Sequence, residues 1–183
     1  MTYLVVLRAL CWPEDRASLL ALDTSLTTDR GYRLERGDHS FALEEVSITP
    51  SVQKSYPLEN EIDELTAFDW VQVASDGGVV VGLVAMKLEN WNGRATLHHL
   101  YLAPSARRQG VGRAMIEAAL KEADRCHMRS LWAETQTTNY AAVRFYERTG
   151  FTLCGLDTSL YDSRKVVDGE IALFFSRPVN NVE

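Results

Sequence analysis

One stretch, Thr96 to Ile116, constrains the chain more than any other: TLHHLYLAPSARRQGVGRAMI. It reads as an alternating strand, the break Ala103-Pro104, a basic glycine turn and then a helix. Arg107, Gly110 and Gly112 fit the pattern R/Q-x-x-G-x-G/A. Such a turn lines up backbone N–H groups at a helix N-terminus, where they can hold phosphate oxygens. Glycine lets the backbone approach a ligand closely and adopt dihedrals closed to other residues. A pyrophosphate group is therefore the expected ligand of this turn.

The rest of the chain fits around it. A length of 183 residues suits a single domain spanning residues 1–183, large enough to bury a real core. The net charge of -6 argues against a nucleic-acid binder and is compatible with a small cationic partner. Three widely spaced cysteines, Cys11, Cys126 and Cys154, form neither a disulfide framework nor a metal-ligand spacing. A reducing cytoplasm is the simplest setting. The opening MTYLVVLRALCW is interrupted by Arg8 and makes a poor signal peptide, and no run reaches membrane-spanning length.

In order, Tyr3–Leu7 reads as a strand, Pro13-Glu14-Asp15 as a helix start, and Asp23–Ser40 as a polar, turn-rich loop. Phe41–Ile48 reads as a strand and Pro50–Leu65 as a long acidic connection. Phe68–Ala74, Val79–Leu88 and Ala95–Leu102 follow as strands, divided by hairpin signals at Asp76-Gly77-Gly78 and Asn92-Gly93. With Phe41–Ile48 they predict an antiparallel meander. Val111, Met115, Ile116, Ala119, Leu120 and Ala123 make one helical stripe. Ser130–Gln136 is the next strand, Asn139–Thr149 a helix stopped by Gly150, and Phe151–Cys154 and Ile171–Ser176 are closing strands. The expected fold is α/β of the α+β kind: a mixed, mostly antiparallel central sheet flanked by helices. A crevice at the carboxyl ends of neighbouring parallel strands would be the ligand site.

The second helix adds an independent motif, ETQTTNYAAVRFYERTGF, at the right distance from ARRQGVGRAM. Together they resemble the GCN5-related N-acetyltransferase (GNAT) superfamily. The flanks ALDTSLTTDRGYRLERGDHSFALEEV, GFTLCGLDTSLYD and DGEIALFFSRP resemble the streptothricin (nourseothricin) acetyltransferases within it. The resemblance implies the GNAT fold, acetyl-CoA as cosubstrate, no metal, and direct acetyl transfer to a small cationic amine, with the β-lysine amine of the antibiotic foremost. It also implies a cytoplasmic resistance enzyme, and the homodimer common in the family is an expectation of the same kind. Arg107, Arg108, Gln109, Gly110, Val111, Gly112 and Arg113 match the pyrophosphate loop. Leu102 matches the strand position whose backbone pairs with the pantetheine arm, and Asn139 the position that hydrogen-bonds it. Tyr146 matches the tyrosine near the CoA sulfur. Two departures stand out: the family carries acidic residues where this chain has His98 and His99, and its acidic segment around Glu59 is longer.

An alkylamine with a pKa near 10.4 is neutral in roughly one molecule per few thousand at pH 7, and only that form attacks a thioester. A base, a water chain or a pKa-lowering pocket is needed. Glu134 is the first candidate for catalysis and for binding the substrate ammonium; its alternative is a structural ion pair. Strand alternation puts it on one face with Trp132 and Gln136, opposite Leu131, Ala133 and Thr135. Tyr146 is the candidate to protonate or position the leaving thiolate, against a plain core role. The loop acids Asp23, Asp29, Glu59, Glu61, Asp157 and Asp162 are the remaining candidates for reading substrate charge, Asp157 being the best placed, after the FTLCG strand; the alternative is that they are simply solvated. His98 and His99 should face opposite ways unless a bulge intervenes, and are read as packed or solvent-facing rather than catalytic. The competing functions are polyamine or aminoglycoside acetylation, acetylation of protein N-termini, and a non-catalytic acetyl-CoA-binding module. N-terminal acetylation would carry E-x-R-x-x-N, where this chain has Gln136 in place of the arginine.

Overall fold

The computed structural model describes residues 5–179. In chain order the elements are β1 (Val6–Ala9), α1 (Arg16–Leu20), β2 (Leu26–Gly37), β3 (Ser40–Lys54), a 3-10 segment (Ile62–Ala67), β4 (Trp70–Asp76), β5 (Val79–Glu89) and β6 (Arg94–Leu102). After a short 3-10 turn (Pro104–Ala106) come α2 (Val111–Arg125), β7 (Ser130–Gln136), α3 (Tyr140–Arg148), β8 (Thr152–Asp157) and β9 (Ala172–Pro178). The expected class holds: mostly antiparallel strands flanked by helices. The described chain falls into two compact units, one of residues 5–25, 55–132 and 178–179, the other of residues 26–54 and 133–177.

In the first unit the strand order is β1-β4-β5-β6, with each of the three pairs antiparallel. The Asp76-Gly77-Gly78 signal does form a hairpin: Asp76 pairs with Val79, and both glycines take positive φ, 56° and 90°. That is the geometry a two-residue primed turn demands. Leu83 and Ala85 of β5 pack with Leu19, Leu22, Leu58, Ile62 and Leu65, while alternation sends Val84 and Met86 to the other face. All four are fully buried, so the strand had to read as a continuous apolar run. The stripe of α2 is buried as its spacing requires, from Val111 through Ala123.

Helix α1 is shorter than the run Pro13–Leu22, and Asp15 does not cap it with its side chain. Instead the Asp15 carboxylate accepts two bonds from Arg8 (2.6 and 2.7 Å) and one from the Cys11 N–H (2.8 Å). Arg8 foremost, then the Cys11 amide, hold that carboxyl below its ordinary pKa against the opposing effect of burial. The expected strand Tyr3–Leu7 is found from Val6; Tyr3 and Leu4 lie outside the described residues.

The second unit corrects the largest misreading. Asp23–Ser40 is not a loop: Leu26–Gly37 is strand β2, paired antiparallel with β3 in a two-stranded sheet of its own. Both faces of this ribbon are largely solvated, so hydrophobic alternation is weak and the sequence looks loop-like. Cross-strand charge pairs support it instead, with Arg33 on Glu44 (2.5 Å) and Arg30 on Glu45 (2.9 Å). The strand expected at Phe41–Ile48 runs on to Lys54 and is not part of the meander. Pro50 is tolerated because it falls where the register shifts between Thr28 and Arg30. In the strand order β9 lies between β7 and β8, and its pairing with β8 is antiparallel.

Candidate functional site

In the first unit β6 delivers the chain into the glycine turn. Arg107 has φ -72°, Arg108 is left-handed at φ 60°, and Gly110 is left-handed at φ 83° as the residue capping α2. No side chain caps this helix, and no acid stands in its first turn. The first intrahelical bond is Ala114 N–H to Gly110 O at 3.0 Å. The amides ahead of it form the partially positive end of a four-turn helix, and Arg113 adds a cation where a dipole alone would prefer an anion. Arg108, Gln109, Gly110 and Arg113 are exposed, while Val111 and Gly112 are buried. This is the composition of an anion cradle.

Arg107 does something the sequence did not show. Its Nε donates to the Leu102 carbonyl (2.9 Å) and its Nη2 to the Ser25 carbonyl (2.6 Å). The guanidinium thus ties the end of β6 to the turn. Asp23 also belongs here: its carboxylate accepts the Ser25 N–H at 2.9 Å and lies close enough to Arg107 to act on its charge. Gln109 donates to the Ser105 carbonyl at 2.6 Å.

Strand β7 carries the face expected of it: Leu131, Ala133 and Thr135 are buried, while Trp132, Glu134 and Gln136 are half-buried. The Tyr161 hydroxyl donates to Glu134, and the Gln136 side chain is hydrogen-bonded to Tyr161 in turn. Beside them lies a second buried carboxylate. Glu170 accepts from Lys54 Nζ at 2.5 Å and from the Thr138 hydroxyl, and Lys54 also donates to Thr138 at 2.9 Å. Burial pushes the Glu134 carboxyl above its ordinary pKa; the Tyr161 bond and Lys54 oppose this and the Glu170 charge adds to it. Burial, then the Glu134 contact, drives the Tyr161 phenol upward. A carboxylate so raised is a stronger base than one in water.

Asn139 caps α3, its Oδ1 accepting the Ala142 N–H at 3.1 Å. Tyr146 is 6% exposed and packs between Phe175 (5.6 Å, stacked) and Phe151 (5.2 Å). Asp157 spends its carboxylate on Ser159, accepting from its N–H (2.7 Å) and hydroxyl (2.8 Å). Asp29 is the exposed residue at the irregularity of β2. Glu134 is therefore joined by Tyr161, Glu170, Lys54 and Thr138, none of which stood out in the sequence. Their positions come from a polar connection and a strand end, and no motif spacing marks them. Among the described residues, no group of three or more His, Cys, Asp or Glu side chains is arranged to hold a metal ion.

Comparison with known proteins agrees with the architecture. The Acetyltransferase (GNAT) family model matches residues 32–151, and the chain belongs to this family. Streptothricin acetyltransferase of Streptomyces lavendulae is 32% identical over 174 residues, 91% of each chain. The crystal structure of a nourseothricin acetyltransferase superposes with a TM-score of 0.84 at 36% identity, covering 96% of this chain and 98% of that one. A Bacillus anthracis protein crystallised with acetyl coenzyme A shares the fold at 23% identity and a TM-score of 0.80, over 97% and 99% of the two chains. The chain is thus an N-acetyltransferase similar to the streptothricin acetyltransferases, in a family that uses acetyl-CoA.

Proposed function

We propose that this enzyme moves the acetyl group of acetyl-CoA directly onto an amine of a small polycationic acceptor, with the β-lysine amine of streptothricin foremost. The observation that carries the mechanism is Glu134, a desolvated carboxylate with a raised pKa, held by the Tyr161 hydroxyl. Glu134 accepts the proton of the acceptor ammonium. The neutral nitrogen attacks the thioester carbonyl, the C–N bond forms and the C–S bond breaks. The new amide nitrogen sheds its remaining extra proton and the CoA thiolate takes one, with Tyr146 the candidate donor, its phenol being restored by the proton the nitrogen releases, so that Glu134 keeps the one net proton of the reaction. The turn from Arg108 to Arg113 binds the pyrophosphate through its backbone amides, with Arg107 and Leu102 shaping the strand end and Asn139 serving the pantetheine arm. Asp29 adds negative potential for a cationic acceptor in an acidic protein of net charge -6. The free Cys11, Cys126 and Cys154 suit the reducing cytoplasm as its place of action. No described helix is long and apolar enough to cross a membrane.

The test is CoA thiol release with streptothricin, a linear polyamine and a protein N-terminal peptide. We expect the highest kcat/KM with streptothricin. A peptide used as well or better would overturn the assignment, and Gln136 argues against that result. An arginine there would set a cation beside Tyr161, whereas Gln136 hydrogen-bonds it without charge.

The cradle has its own test. A Cβ at Gly110 meets nothing within 4 Å, so Gly110→Val changes the backbone rather than the packing. At φ 83° a β-branched residue is strained and the turn must move. The expected result is an acetyl-CoA KM raised about tenfold with kcat near wild type, the signature of lost uniform binding. An unchanged KM would show that these amides do not hold the cosubstrate.

A further inference from the structure

Tyr161 sits where the solvated connection between β8 and β9 turns inward. Residues 158–160 before it and 163–165 after it are exposed, while Tyr161 is half-buried with its hydroxyl on Glu134 Oε1. The phenol thus joins an exposed segment to the desolvated carboxylate. A phenol oxygen carries one proton and two lone pairs. Here the proton goes to Glu134, and Gln136 donates to one lone pair. The second lone pair is the one that can accept an N–H of the acceptor. Glu134, Gln136 and Tyr161 all belong to the second unit.

Direct contact between the acceptor ammonium and Glu134 would work against the reaction. An opposite charge at ion-pair distance favours the ammonium, the form that cannot attack, and desolvation strengthens the pair. A neutral phenol between them removes that contact. Alone the phenol is a poor base, and burial and the Glu134 contact keep it protonated near neutral pH. It can take a proton only as it surrenders its own. Glu134, with its raised pKa, is the group placed to receive that proton.

We propose that Tyr161 is a catalytic residue that relays the acceptor's proton to Glu134. This rests on the proposed reaction and deepens it. The phenol oxygen takes a proton from the acceptor nitrogen as the phenol's own proton passes to Glu134 Oε1. One N–H bond and one phenol O–H bond break, and a new phenol O–H and a carboxyl O–H form. The nitrogen keeps the electron pair that attacks the thioester. Tyr161 ends as the neutral phenol it began as, and Glu134 holds the proton.

The test is single-turnover acetyl transfer by the full-length enzyme preloaded with acetyl-CoA, at saturating streptothricin or spermidine, whichever the wild type acetylates. Rates are compared on the plateau above the acid limb of each protein, so a shift of the Glu134 pKa does not enter. Tyr161→Phe keeps the ring and removes the hydroxyl. Its plateau rate should fall about 10²-fold or more, close to that of Glu134→Gln. The double variant should be no slower than the slower single one, because the two groups move one proton between them. The acetyl-CoA KM should not move. A Tyr161→Phe plateau within about threefold of wild type, with only the limb displaced, overturns the relay and leaves Glu134 as the direct base. Losses that multiply in the double variant overturn it as well, since the two groups would then act independently. If Glu134→Gln turns over like the wild type, or the wild type acetylates neither amine, the proposed reaction falls and the relay with it.

Discussion

Glu134→Gln is expected to lower kcat by about 10²–10⁴, the usual worth of a positioned base, while leaving the acetyl-CoA affinity intact. The substitution keeps the shape and an acceptor oxygen for the Tyr161 hydroxyl, so it removes the proton acceptor and little else. Folding should not suffer. The Glu134 pKa is raised in the fold, so its ionised form opposes folding, and that cost grows as pH rises from the unfolded value through the folded one. Near neutral pH the neutral glutamine should be as stable as wild type or more so, and a denaturation curve alongside the kinetics separates lost chemistry from lost structure. The acid limb of the kcat/KM profile should lie above the range of an ordinary glutamate, because activity is lost as pH falls through the raised pKa. Tyr161→Phe removes a bond that lowers this pKa and should move the limb further up; Glu170→Gln removes a like charge and should move it down. Near-wild-type turnover in Glu134→Gln, or a limb that neither neighbour shifts, would remove Glu134 from the role of base.

These neighbours mark where the sequence stopped being legible. Glu134 could be found because a strand has a period of two and the family motif follows it. The helix from Asn139 to Thr149 and its stop at Gly150 were legible for the same reason: cap, stripe and terminator are local. Tyr161 and Glu170 carry no such mark. They lie in or at the end of the connection between β8 and β9, and only the fold of the second unit brings them to Glu134. The ribbon of β2 and β3 was missed because burial is what writes a pattern into a strand, and both its faces are mostly solvated. Arg107 carries a role that no motif marks. An arginine in a phosphate-type motif invites a phosphate role, and its guanidinium also holds the carbonyls of Leu102 and Ser25. The motif was right about the turn and silent about which atoms keep it in shape.

Lys54→Met should be the most damaging single change to stability in the second unit, at about 3–5 kcal/mol. Lys54 and Glu170 are 14% and 3% exposed at their side chains and lie 2.5 Å apart, with Thr138 bonded to both. Removing the ammonium leaves a buried carboxylate with one neutral donor, and an unpaired buried charge costs far more than the pair contributes. The double variant tests this more sharply. Lys54→Met with Glu170→Gln removes the orphaned charge as well, so most of the loss should be recovered, although two native groups are then gone instead of one. Urea denaturation of the wild type, both single variants and the double variant measures the coupling. A double variant as unstable as the sum of its parts would mean the two side chains act independently, and Glu170 would then need another account. The Lys54 charge also lowers the Glu134 pKa. Its loss should therefore raise the acid limb of any remaining activity, whereas the double variant, which also removes the like charge of Glu170, should bring that limb back toward wild type.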